Sequence, residues 1–139
     1  MTRDPKLAAA SSISLPDLLR SVSEDIKPVE GGPVTFINVF EVPVEQIDTF
    51  IAHWRELAKI MSTAPGFRGL RLHRALSSRT RFQIINVANW ESRKAWEAAV
   101  ANPEFQVHLG ALAEDAEVQI SANPALYEVV AAYGDHEQA

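Results

Sequence analysis

The sequence predicts an α+β domain of order βαββαβ, with an antiparallel sheet and its helices packed on one face. Two stretches, VTFINVFEV at 34–42 and RFQIINVANW at 81–90, carry apolar side chains on both faces of a two-residue alternation, as central strands do. A long segment between them repeats apolar residues at helical spacing. Clusters of Pro, Gly and Asn separate the periodic stretches.

In the first strand Val34, Phe36, Asn38, Phe40 and Val42 share a face, against Thr35, Ile37, Val39 and Glu41. Pro43 then opens a helix reaching to about Thr63. Its stripe of Ile47, Phe50, Ile51, Trp54, Leu57, Ala58 and Met61 is the strongest periodic signal in the chain. Pro65-Gly66 ends it. Residues 69–76 alternate Leu70, Leu72, Arg74 and Leu76 against Arg71, His73 and Ala75, which predicts a second strand. Ser77-Ser78-Arg79-Thr80 is a polar turn of hairpin length. In the third strand, at 81–90, Phe82, Ile84, Asn86, Ala88 and Trp90 fall on one face.

Ser92 can cap a helix bearing Ala95, Trp96, Ala99 and Val100. Asn102-Pro103 interrupts it, and Pro103 starts a further helical piece with Phe105, Val107, Leu109 and Leu112. A fourth strand is expected at 125–131, after Asn123-Pro124. The order makes a split-βαβ, ferredoxin-like sheet in which strands one and three are neighbours. The opposite sheet face keeps Ile37, Val39, Ile85 and Val87, and a surface that apolar invites association. A homodimer closed into an α+β barrel follows as an expectation.

The domain is expected over 33–131, with 1–32 as an N-terminal extension and 132–139 as a loose tail. The breaker cluster Lys27 to Pro33 marks the first boundary. Within the extension, Ser14 can cap a short helix with Pro16 and Asp17 in its first turn and Leu15, Leu18, Leu19 and Val22 as its stripe. Such a helix docks on the body, docks on a partner subunit, or frays; crossing to the other subunit or shielding a pocket mouth would give it a use.

Composition narrows the function. With 13 Lys and Arg against 18 Asp and Glu, no basic footprint for nucleic acid exists. The absence of cysteine excludes disulfides, thiolate catalysis and Cys-based metal sites, and fits a cytoplasmic location. The N-terminus does not read as a signal peptide. No segment approaches the roughly 20 apolar residues of a membrane span. His53 reads as a boundary residue of its helix, and His73 and His136 lack ligand spacing, so no metal site is expected. The acidic residues, Asp115 and Glu117 among them, read as solvated faces.

Asn38 and Asn86 interrupt apolar rows on adjacent strands. A buried amide costs about 1–3 kcal/mol unless its hydrogen bonds are met. The two are therefore either a mutual structural pair or part of a pocket for a polar ligand. Trp90 follows Asn86 on the same row and adds one N–H donor on an apolar body.

VTFINVFEV, Pro65-Gly66-Phe67 and INVANWES at 85–92 resemble the antibiotic biosynthesis monooxygenase family over about 33–131, and within it the anthrone oxygenases of aromatic polyketide pathways. The resemblance implies oxidation of a phenolic anthrone to a quinone with molecular oxygen and no metal, flavin or haem. It implies catalytic roles for Asn38, Asn86 and Trp90, and it puts Trp96 where some members have a Tyr. Neutral amide and indole donors suit an enolate oxyanion held in a dry pocket. Phe40, Trp54, Trp96 and Phe105 would wall a flat aromatic substrate or simply pack the core. The haem-degrading members of the family give the alternative, with haem as cofactor. Their helix Trp and axial His fall on Ala99 and Leu109, and His108 stands one residue early, about 100° around a helix. A non-catalytic small-molecule-binding subunit is the third reading.

Overall fold

β1 (Val34–Glu41) and β3 (Ile84–Trp90) lie side by side in the middle of a four-stranded antiparallel sheet of order β2-β3-β1-β4. The computed structural model describes residues 13–24 and 31–134. The predicted position of the first and third strands is what their two-sided apolar pattern requires. Register places Asn38 opposite Asn86, and Val34 opposite Trp90. β2 (Phe67–Arg74) pairs with β3 from Phe67 opposite Trp90 to Arg74 opposite Ile84, through a bulge between Phe67 and Gly69.

β4 (Ser121–Tyr127) occupies the other edge and pairs with β1 alone. It begins and ends four residues earlier than its predicted span of 125–131. Asn123-Pro124 therefore lies inside the strand instead of preceding it. An edge strand tolerates proline when the missing N–H would have pointed outward. Val129 and Val130, expected in the strand, are exposed. Leu76 is fully exposed beyond the end of β2, whose ladder stops at Arg74. Gln83 closes the connecting hairpin, donating from Nε2 to the carbonyls of Ser77 (2.9 Å) and Thr80 (2.6 Å).

A turn of 3₁₀-helix, Val44–Gln46, leads into α2 (Ile47–Met61), which buries Ile47, Phe50 and Leu57 on the sheet. α3 (Arg93–Val100) starts where the Ser92 hydroxyl accepts from the Ala95 N–H at 3.1 Å. α4 (Pro103–Glu114) is capped by Asn102, whose Oδ1 accepts from Glu104 N–H at 2.7 Å and Phe105 N–H at 3.3 Å. Its buried stripe is Phe105, Leu109 and Leu112, at i, i+4 and i+7. Val107, expected on that stripe, turns outward and is 70% exposed.

α1 (Leu15–Ser21) has its N-cap at Ser14, which accepts from Asp17 N–H at 3.2 Å. Of the three fates open to it, docking on the body is what occurs. Leu15 and Leu19 are buried, Leu18 and Val22 pack beside them, and Arg20 donates to Gln106 of α4 at 3.3 Å. The start of the extension (1–12), most of its breaker cluster (25–30) and the end of the tail (135–139, with His136) lie outside the described residues.

Gly66 turns the chain from α2 into β2 at φ +87°, and a Cβ there would stand 2.5 Å from the Cβ of Ala95. Gly66→Ala is expected to destabilise the domain by more than the roughly 1–2 kcal/mol of the left-handed conformation alone, because α3 must also give way. A melting curve within 2 °C of wild type would contradict this.

His53 and Asp115, read as a boundary residue and a solvated carboxylate, are in fact paired. Nε2 and Oδ2 are 2.7 Å apart, tying the middle of α2 to the end of α4. This hydrogen bond, joined by the Glu117 backbone N–H, holds the Asp115 carboxyl below its usual range. A depressed carboxyl contributes stability above its unfolded pKa of about 3.9, and loses it as pH falls through the folded value. Asp115→Asn should therefore melt below wild type at pH 6, with the two curves converging as pH drops below about 4. A pH-independent gap would show that the charge plays no part.

Candidate active site

Between sheet and helices lies a cavity of about 70 Å³. The sheet supplies its floor, with Phe36, Asn38 and Phe40 from β1 and Asn86, Ala88 and Trp90 from β3. These are alternate residues of two strands in register, so a single face delivers all six. Phe50, Trp54 and Met61 of α2 form one wall, and Trp96, Phe105 and Leu109 of α3 and α4 form another. Leu15 and Leu19 of α1 complete the lining. The seven residues singled out by sequence thus border one space.

Aromatic packing fixes those walls. Trp96 stacks on Phe36 with centroids 5.3 Å apart and planes 30° from parallel. Phe40 meets Phe50 at 4.8 Å, and Phe67 contacts Trp90 edge-on at 5.3 Å. Such offset and edge arrangements suit ring quadrupoles and hold each ring in place.

The polar groups divide into one that is anchored and two that are not. The Asn38 Oδ1 accepts from the Asn123 N–H of β4 at 3.0 Å, and Asn123 Nδ2 donates to the Val39 carbonyl at 2.9 Å. Because a backbone N–H demands an oxygen, this contact fixes which end of the Asn38 amide faces β4. Asn86 Oδ1 and Trp90 Nε1 are buried with no hydrogen-bond partner. Asn38 and Asn86, opposite each other in the ladder, are thus not a self-satisfied pair. A buried polar atom left without any partner costs about 1–3 kcal/mol, which a ligand with a matching donor and acceptor would recover.

No lining residue carries a titratable side chain, and among the described residues no cluster of three or more His, Asp or Glu could hold a metal ion. Haem iron is held through His, Cys, Met or Tyr. Of these only Met61 borders the cavity. Leu109 stands at the place the resemblance assigns to an axial His, while His108, one position earlier, is not among the lining residues. Among the described residues no histidine, cysteine or tyrosine borders the cavity, so Met61 is the one lining side chain of a haem-ligating type.

Sequence reasoning missed the part played by four residues. Leu15 and Leu19 were visible as a helical stripe, but their destination depends on tertiary packing. Asn123 was read as a loop residue because Pro124 follows it. Met61 was seen as core.

A split-βαβ domain with an aromatic-walled pocket is the frame of a small-molecule enzyme. Residues 33–110 match the family model of the antibiotic biosynthesis monooxygenases. The chain belongs to that family and is a monooxygenase of it. Over 78 residues it is 30% identical to the "Heme oxygenase (mycobilin-producing)" of Mycobacterium tuberculosis, covering 56% of this chain and 72% of that protein. Among solved structures, a monooxygenase candidate from Shewanella loihica PV-4 superposes with a TM-score of 0.61 at 32% identity, over 75% of this chain and all of that one. SnoaB, a cofactor-independent oxygenase from Streptomyces nogalater, gives a TM-score of 0.63 at 24% identity over 75% of this chain and 99% of its own, a likeness of fold. No helix among the described residues is long and apolar enough to cross a membrane.

Proposed function

We propose that this protein is a cofactor-independent monooxygenase that oxidises a flat phenolic aromatic of the anthrone type to the quinone with molecular oxygen. The observation that supports it best is the unpaired Trp90 Nε1 and Asn86 Oδ1, buried at an apolar cavity beside an anchored Asn38. A buried N–H aimed at no protein acceptor is a donor reserved for a guest.

In this reading the substrate loses a ring proton to become an enolate. Its oxygen accepts from Trp90 Nε1–H and from the Asn38 amide nitrogen, while Asn86 Oδ1 accepts from a substrate hydroxyl. Neutral donors achieve this without burying a cation. The enolate carbon gives one electron to oxygen, and the resulting radical pair combines into a carbon–oxygen bond. Cleavage of the O–O bond then leaves a carbonyl on carbon and releases water. The methylene supplies all four electrons, so no outside reductant is needed. Since no lining group titrates, water or the substrate's own ionisation removes the proton. Phe40, Trp54, Trp96 and Phe105 hold the ring plane.

Oxygen uptake with dithranol as a model substrate tests this. Stoichiometric consumption by the purified protein, without added metal, flavin or haem, supports the oxygenase. The haem oxygenase relative makes haem the competing ligand. A Soret band typical of axial His on haem titration, with no dithranol oxidation, would replace this reading with the haem one. Neither signal would leave a binding subunit.

The active form is a homodimer. Ile37, Val39, Ile85 and Val87 on the open sheet face are only half-buried in the single chain, and Tyr127, Val129, Val130 and Tyr133, at and beyond the end of β4, are exposed. Light scattering should give twice 15.3 kDa, and Val39→Glu should return the mass to 15.3 kDa. A monomeric wild-type protein at micromolar concentration would refute the dimer.

A further inference from the structure

We propose that Leu15 and Leu19 of α1 determine which aromatic guests the pocket accepts. This rests on the small-molecule reading of the cavity above. The family match spans residues 33–110, which contain every other lining residue except Leu112, while α1 precedes the matched region. Both leucines lie one turn apart on one face of α1, both are buried, and both border the cavity. They close it to about 70 Å³, well below the roughly 300–1,000 Å³ of ordinary ligand pockets. A guest of two or three fused rings must therefore displace these side chains, and each added ring presses further on α1.

That wall is held by side-chain packing on a short helix. α1 has seven residues, too few to persist as an isolated helix, so its shape depends on being docked. Beyond the two lining leucines, α1 is held by the partly buried Leu18 and Val22 and by Arg20 donating to Gln106 at 3.3 Å between exposed side chains. The floor and opposite walls, by contrast, are sheet and stacked rings. A guest that needs space will find it at α1.

The chain contains three tryptophans, Trp54, Trp90 and Trp96, and all three line the cavity. Their quenching reports binding independently of any turnover. The experiment titrates full-length protein with 1-naphthol (two rings) and dithranol (three rings) in oxygen-free buffer. The readout is the ratio of their dissociation constants. In Leu15→Ala/Leu19→Ala the preference for three rings over two is expected to rise about tenfold, the size of effect a few buried methylenes give. Leu19→Val, which removes one methylene and threatens folding least, should shift the ratio two- to threefold in the same direction. An unchanged ratio in the folded Leu19→Val variant and in the double variant overturns the proposal, as does a shift toward the smaller guest. Failure to bind either guest in wild-type protein overturns it together with the function proposed above. Size-dependent binding without oxygen uptake would sink the oxygenase and leave this inference standing.

Discussion

Trp90→Phe is expected to lower kcat for oxidation of a phenolic aromatic about a hundredfold, the usual effect of deleting one oxyanion donor in a dry site. The indole is 2% exposed, its Nε1 has no protein partner, and its ring lies edge-on to Phe67. Phenylalanine keeps an aromatic body and removes the N–H. Stability and activity should part company. The substitution loses some packing volume but also relieves a buried donor that costs about 1–3 kcal/mol in the free protein. Wild-type-like melting with a collapsed kcat is the signature of a donor that serves the guest. A drop of less than threefold in kcat would show that Trp90 only packs the pocket, and the proposed chemistry would need another donor.

Phe50→Ala should cost the fold about 3–5 kcal/mol, the largest stability effect expected of a single truncation here. Phe50 is 0% exposed and leans on Phe40 at 4.8 Å, joining α2 to the central strand. Its removal merges new volume with the existing cavity, and the neighbouring rings are too rigid to fill the gap. Urea unfolding should show a lower midpoint at an unchanged slope. The contrasting substitution is Val107→Ala on α4, at a position 70% exposed, which should stay within about 0.5 kcal/mol. Equal effects at the two sites would mean that the core is not where the structure places it.

These contrasts mark what the sequence could disclose. β1 and β3 were legible because both of their faces are apolar, and a two-residue period leaves no freedom in which side chains share a row. That alone put Asn38, Asn86 and Trp90 together. α2, α3 and the caps Ser14 and Ser92 were legible for the same reason, since local spacing and local hydrogen bonds decide them. β4 was not. Proline reads as a breaker unless the strand is known to be an edge, and position in a sheet is a long-range fact. The error mattered, because Asn123 sits in the misplaced part and anchors Asn38. Val107 and Leu76 mislead in the opposite way, being apolar residues with no burial to match. The pairing of His53 with Asp115 spans 62 positions, and no spacing rule reaches that far.

The edge at β4 also bears on how large an assembly can grow. The Asn123 N–H points inward to Asn38, so in a pleated strand the Pro124 nitrogen faces outward, where an added strand would look for a donor and find none. At the opposite margin, β2 begins with a bulge and shows Arg68, Arg71 and Arg74 to solvent. Ribbon-like extension through backbone pairing is thereby blocked at both margins. In the proposed dimer the copies meet broadside, and that union would use up the open surface of each. Such an arrangement would count to two and stop.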